Sequence, residues 1–505
     1  MTVERVLGEL VKLGKIDKFS GEVDYGAEIS SDSLFDAMRE IGMNEESQSI
    51  LEPFLEDASL IHQTLLSMTF SNFLASSSPI SATSSSSESL KKARRSVRLL
   101  LNLVQRSSEF AAKVPSECVD LLETLLATAH FDAELLLFLV KTADSTWLEF
   151  QKSPRYSRLL ERVVGLLDAT EHDRNSTILA YFSTLLEKDY AFLANCYAEL
   201  GPAPFCAILD VVHGLQSHAA LRIHQNNLLF VLNLLELICV DYGAFLMSRV
   251  KKEPKDGEMR RKTTVEMLTL LVEIVGDLCA NTEMTSHLNE KATVINSVVD
   301  VLDTILHSES RFADFRAEQP ETWPEMPPDE PKFAVLRRKI QEEQRYESMK
   351  NGQKYRPKQP PPSKMQRVME SESLSQLSDT ILDNYKHVGE GYHRIGELKL
   401  NCLKAIANLC NLSASNKLAT VQNGRTALLS VLQCTTRRPE YFMESYAMRN
   451  WAIFCVRQLT DECQENKEVI LRLGEPAQPI IDRRRLLKEF GILEEDLEDV
   501  MEPAE

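Results

Sequence analysis

Ile406-Ala-Asn-Leu-Cys-Asn-Leu-Ser-Ala-Ser-Asn-Lys417 and Val456-Arg-Gln-Leu-Thr-Asp-Glu-Cys-Gln-Glu-Asn-Lys467 align at an offset of 50 residues without a gap. Leu409 meets Leu459, Asn416 meets Asn466 and Lys417 meets Lys467. The match extends outward: Leu403 meets Ile453, Val421 meets Leu471 and Gly424 meets Gly474. Each copy reads as an apolar helix, a polar joint holding an asparagine, a second helix and a glycine. A period of about 40–50 residues is that of armadillo and HEAT arrays. The short amides of Asn416 and Asn466 are expected to cap the helix that follows them. Gly424 and Gly474 are expected to take positive φ and end it. Weaker echoes start at Asp277-Leu278-Cys279-Ala280-Asn281 and at Asn102-Leu103-Val104.

The rest of the chain has the same texture. Leu, Ile and Val recur at three- and four-residue spacing over 96–104, 119–126, 133–140, 159–167, 178–186, 228–240, 265–279 and 294–306. Most of these runs are two to four turns long, with short polar joints between them. That pattern predicts stacked helical hairpins and not a bundle of long helices. Glycine is scarce, 18 of 505, which disfavours a sheet protein that needs turn glycines. The expected fold is all-α: an armadillo/HEAT-like α-solenoid, a right-handed superhelix of short helices with disordered insertions. Two stretches interrupt it. Residues 76–89 are serine-rich and read as a flexible loop. Nine of the 20 prolines fall between Pro320 and Pro362, where continuous helix is excluded. One exposed helix is compatible with the proline-free Phe333–Lys350. The resulting map is N-terminal helical repeats 1–75, loop 76–89, repeats 90–315, a largely disordered linker 316–372, C-terminal repeats 373–480 and a charged, acidic tail 481–505.

Composition narrows function by exclusion. Seventy-five acids against 57 bases give −18, the wrong balance for a duplex nucleic-acid binder. Ten cysteines stand singly within apolar runs, with no Cys-x-x-Cys, and read as reduced core residues. The amphipathic stretch from Met1 to Lys18 is not a signal peptide, and the longest apolar run, Leu228–Val240, is too short and too polar to span a bilayer. A cytoplasmic protein is the expectation. The sequons at Asn175 and Asn411 read as chance matches.

Residues Lys399-Leu-Asn-Cys-Leu-Lys-Ala-Ile-Ala-Asn-Leu-Cys410 with Asn416, then Arg449-Asn-Trp-Ala-Ile-Phe-Cys-Val-Arg457 and Gln464-Glu-Asn-Lys-Glu-Val-Ile470, resemble the C-terminal domain of the ataxin-10 family. The family reads Glu where Asn450 stands, Asn where Gln458 stands and Gln where Lys467 stands. The loop Thr435–Tyr446 is longer than its counterpart, and the resemblance covers about 85 residues. It implies an armadillo-like protein without catalytic activity, perinuclear or associated with the centrosome or cilium. Such proteins act through protein partners in cell division, ciliary function, neuron survival or neurite growth. The alternatives are an armadillo-type regulator of a small GTPase or G-protein subunit, a transport adaptor, and an enzyme of unrecognised type.

No catalytic, cofactor or metal signature is present. Gly389, Gly391 and Gly396 have the wrong spacing for a dinucleotide loop, and neither a Walker-type loop nor a nucleophile elbow occurs. His213, His218 and His224 are five and six residues apart, which does not gather them on one helix face. Cys402 and Cys410 share a face and read as core. The basic runs 91–95, 251–252, 260–262, 337–339 and 483–485 are nuclear-signal or anionic-patch candidates, or solvated helix flanks. The tail 494–505 holds seven acids and no base, and with Leu493, Leu497 and Val500 it forms a candidate docking helix. The candidate partner-binding residues are Asn408, Arg449, Trp451, Arg457 and Gln458. Inner-helix asparagines such as Asn408, with Gln458 at its repeat position, suit an extended peptide backbone, or else a hydrogen bond between repeats. Trp451 reads as a buried anchor or as a partner hot spot. A homo-oligomer is an open alternative for the same surface.

Overall fold

A computed structural model describes residues 2–20, 29–43, 51–77, 84–128, 131–167, 172–216, 223–250, 257–279, 288, 292–318, 365–386, 390–411, 413–422, 427–435 and 445–472. Among the described residues there are 22 α-helices, one 3-10 turn and no strand, as the helical periodicity requires. They form two compact units, Met1–Leu228 and Leu229–Glu505.

In the first unit the order is α1 (Thr2–Ser20), α2 (Ser31–Met43), α3 (Ala58–Ser77), α4 (Ser84–Arg106), α5 (Ser108–Ala111), α6 (Cys118–Leu126), α7 (Asp132–Phe150), α8 (Tyr156–Val164), α9 (His172–Lys188), α10 (Phe192–Glu199) and α11 (Pro202–Gln216). Helix α4 packs on α7 and α7 on α9. Beside that row, α3 packs on α6, α6 on α8 and α8 on α11. The sequence of α8 shows why. Tyr156, Leu159, Leu160, Val163 and Val164 are buried while Arg158 and Arg162 stay outside, so a helix of nine residues gives one whole face to its neighbours. Helix ends are closed by short polar side chains. Ser107 caps α5 by accepting from the Phe110 amide at 3.1 Å. Asn227, at the head of α12 (Gln225–Val240), donates to the carbonyls of Leu186 at 3.0 Å and Asp189 at 2.7 Å, and accepts from the Leu193 amide at 3.1 Å. One buried amide thus satisfies the backbone groups orphaned between α9 and α10.

The serine-rich segment is narrower than its composition predicts. Helix α3 continues through Ser77 and α4 already begins at Ser84. Helix is costly to nucleate and cheap to extend, so the amphipathic run up to Arg106 carries the serines along. The basic run at 91–95 lies on α4, where Arg95 pairs with Asp32 at 3.0 Å and sits over the Phe35 ring, and Lys92 is buried. The basic run at 260–262 lies in the first turns of a helix spanning Gly257–Leu278. The runs at 251–252, 337–339 and 483–485, and the prolines from Pro320 to Pro362, lie outside the described residues.

His62 is fully buried on α3 between Phe110 and Phe138. Its Nε2 lies 2.9 Å from the Phe110 carbonyl, so Nε2 carries the hydrogen. Desolvation holds the imidazole neutral, pushing its pKa down to about 4 despite that backbone bond. Between pH 4 and 6.5 the unfolded chain therefore binds a proton that the folded chain refuses. Stability is full above this window and declines as pH falls through it. We expect the first unit to lose about 1.4 kcal/mol between pH 7.5 and 5.5 from this residue. Urea unfolding of wild type and His62→Gln at both pH values checks it, and the variant should show the smaller difference.

The second unit contains most of α12, then α13 (Tyr242–Val250), α14 (Gly257–Leu278), α15 (Ala292–Glu318), α16 (Met365–Glu370), α17 (Glu372–Lys386), α18 (Glu390–Cys410), α19 (Ala414–Ala419), α20 (Ala427–Cys434), α21 (Ser445–Thr460) and α22 (Gln464–Arg472). Helix α15, 27 residues long, packs on α16, α17, α18, α19 and α20. Both α15 and α16 reach into the span expected to be linker. Helices α14, α18 and α21 stack in that order. At the first crossing a Cβ on Gly276 would meet the Ala405 backbone at 3.4 Å, so two small residues set a close approach. Under this stack lies a buried ion pair. Lys399 Nζ donates to both Glu309 oxygens at 2.8 and 2.9 Å, and Tyr385 donates to the same carboxylate at 3.1 Å. Ser308 and Ser378 meet at 2.9 Å, and Ser430 donates to Asp303.

Candidate functional site

Among the described residues, no group of three His, Cys, Asp or Glu side chains stands ready for a metal ion. His213 and His224 belong to different segments, and His218 lies outside the described residues. All ten cysteines are free and nine are buried. Burial drives the thiols of Cys118, Cys402, Cys410 and Cys455 well up, and that of Cys279 to about 12. These sulfurs are protonated packing atoms, in keeping with the core reading. No single helix among the described residues is long and apolar enough to cross a membrane, and α12 and α13 pass such a test only together, across a bend of 116°.

The two asparagines of the repeat at 406–467 make matching hydrogen bonds, and they work in a way the sequence reading missed. Asn416 Nδ2 donates to the Leu409 carbonyl at 2.8 Å, and Asn466 Nδ2 to the Leu459 carbonyl at 2.9 Å. Each amide therefore closes the end of the preceding helix. The capping role expected for Asn416 belongs instead to Ser413, which accepts from the Asn416 amide at 3.4 Å. A second bond ties each asparagine backward in the chain: Asn416 to the Leu288 carbonyl at 3.4 Å, Asn466 to that of Lys417 at 3.3 Å. Both asparagines are wholly buried. Between α21 and α22 the chain turns through Glu462, at φ 49, the left-handed conformation common at a helix C-terminus. Gly424 and Gly474 lie outside the described residues.

The five candidate residues fall on α18 and α21. Asn408 is half-buried and donates to the Gly276 carbonyl at 3.1 Å, so here its amide serves the joint between α14 and α18. Gln458, at the equivalent position, is half-buried, as is Arg449. Arg457 is exposed. Trp451 is half-buried and meets Phe454 edge to face, with ring centroids 5.6 Å apart. Phe454 is 40% exposed and was not singled out from the sequence. Its signal was the repeat itself, because Lys404 stands at the equivalent position and marks it as a surface one. Along α21 the exposed positions are Ala447, Asn450, Phe454 and Arg457. Along α18 the less buried ones include Glu397, Leu400, Lys404 and Asn408. With the offset of 50, three of these positions coincide, 397 with 447, 400 with 450 and 404 with 454, whereas Arg457 matches the buried Ala407.

No family model, curated protein or solved structure matches this chain.

Proposed function

We propose that this chain is a non-enzymatic α-solenoid scaffold of the ataxin-10 type, binding protein partners along its repeated helices. One observation carries the reading. The packed helices α18 and α21 are each closed by an equivalent buried asparagine, Asn416 and Asn466, and three equivalent positions on each, 397/447, 400/450 and 404/454, stand at least partly open to solvent. Stacking of this kind makes extended surfaces that suit protein partners. The half-buried Trp451, the exposed Phe454 and the nearby Arg457 and Gln458 supply aromatic and arginine side chains of the kind enriched at interface hot spots. On this reading the protein is cytoplasmic and takes its roles in cell division, at the centrosome or cilium, or in neurons, from the partners it holds.

Trp451→Ala tests it. A fully buried tryptophan costs about 3–5 kcal/mol when truncated. Half-buried Trp451 should cost less in thermal unfolding, while affinity capture should lose partners that wild type retains. A variant that keeps every captured protein overturns this face as the binding surface.

A further inference from the structure

The two repeats differ in one respect beyond their residues: positions closed in the first are open in the second. Leu403 and Ala407 on α18 are fully buried, and Lys417 and Ala419 on α19 nearly so. Their equivalents 50 residues on are Ile453, Arg457, Lys467 and Val469. Arg457 is exposed and the other three are half-buried. What closes the first repeat is the second. Helix α18 packs on α21 and α19 on α22, and Lys417 Nζ reaches the Asp461 carbonyl at 2.7 Å. Lys467 is the same residue type at the same place, at the far end of the described stack. Ile453, Phe454 and Val469 give this end apolar area, and Arg457 and Lys467 place two cations on the positions that the second repeat covers in the first, with Glu465 and Glu468 beside them on α22. A stack end needs a cap, because a repeat's face is built to be covered.

We propose that this open end is an intramolecular docking site, occupied by residues 486–500 of the same chain as an amphipathic helix. The segment matches in pattern, charge and reach. Leu486, Phe490, Leu493, Leu497 and Val500 are spaced by four, three, four and three residues, one apolar stripe on a helix. The same span holds six acids against one lysine, opposite in sign to Arg457 and Lys467. Thirteen residues separate Arg472 from Leu486. At about 3.3–3.6 Å each they reach about 45 Å, against about 24 Å for the length of α21. The inference stands on the repeat equivalence and not on the scaffold reading; a tail seated here shares Phe454 and Arg457 with the proposed partner face, so a partner using them must displace it, and partner capture alone does not decide the inference.

Peptide-resolved hydrogen exchange on the full chain decides it, comparing wild type, the double variant Phe490→Asp with Leu493→Asp, and Phe454→Ser. In wild type, residues 486–500 should exchange at least about tenfold more slowly than in the double variant. The double variant should also speed exchange over 450–458 and 464–470 while leaving α14 and α18 unchanged. Phe454→Ser should release 486–500 in turn. Equal rates for 486–500 in wild type and the double variant overturn the proposal. So does loss of tail protection with no change over 450–470, which places the segment elsewhere. Protection that rises with protein concentration assigns the face to a second copy and overturns it as well.

Discussion

Lys399→Met should destabilise the second unit by about 3–5 kcal/mol, the cost of stripping a buried charge of its partner. Lys399 and Glu309 side chains are 7% and 3% exposed, so solvent cannot take over for either. The lysine supplies two of the three bonds to the Glu309 carboxylate described above, and Tyr385 supplies the third. Without the ammonium the buried carboxylate loses this opposite charge, which the Tyr385 hydroxyl bond does not replace. Against a domain stability of about 5–15 kcal/mol, this is about a fifth of the total or more. The control is the double variant Lys399→Met with Glu309→Met. Removing both charges leaves no uncompensated charge, only the Tyr385 hydroxyl without its Glu309 acceptor, and an apolar pair of similar volume in place of an ion pair is often neutral or better. The double variant should therefore be more stable than Lys399→Met alone, a coupling that denaturant unfolding reads directly. A double variant as unstable as the single one would mean the pair serves packing and not charge compensation.

This pair was illegible in the sequence, and the reason is physical. Lys399 lies on a helix whose apolar positions follow the ordinary pattern, and Glu309 is 90 residues away across an unrelated stretch. Periodicity reports which face of a helix is buried, but not which distant acid meets it there. Local features were far easier to read. The helical class followed from spacing alone, and the repeat at 406–467 located the two equivalent leucines, Leu409 and Leu459, which are 2% and 0% exposed. What misled was the asparagine. Asn416 has the composition of an N-cap and lies three residues after one, yet its side chain turns back to a carbonyl. A sequence shows that an amide sits at the joint, whereas only three-dimensional packing decides which orphaned backbone groups are buried and must be satisfied. Asn408 is a similar case, since its choice between an inter-repeat bond and a ligand depended on where Gly276 would fall.

Leu459→Ala should produce a local unfolding transition of α21 and α22 ahead of the rest of the second unit. The leucine is wholly buried, and its truncation costs about 2–5 kcal/mol. The loss falls where support is least. In a stack each repeat leans on its neighbours, and α21 has the α18–α20 side beneath it but an end face on the other. The Leu459 carbonyl also anchors Asn466, so loosening α21 releases the amide that joins α22 to Lys417. Hydrogen exchange should lose protection over 445–472 while α14 and α15 keep theirs. Leu409→Ala removes the same atoms one repeat earlier, at a position 2% exposed. There α18 is held by α14 on one side and α21 on the other, so the same substitution should not open one end alone. It should lower protection across α14, α18 and α21 together, with a single broadened transition. The two variants are chemically identical, so a difference in where protection is lost measures how far one repeat depends on the next. Identical exchange patterns would mean that the second unit unfolds as one block, and that the 50-residue equivalence is a matter of sequence and hydrogen bonding without a matching unit of stability.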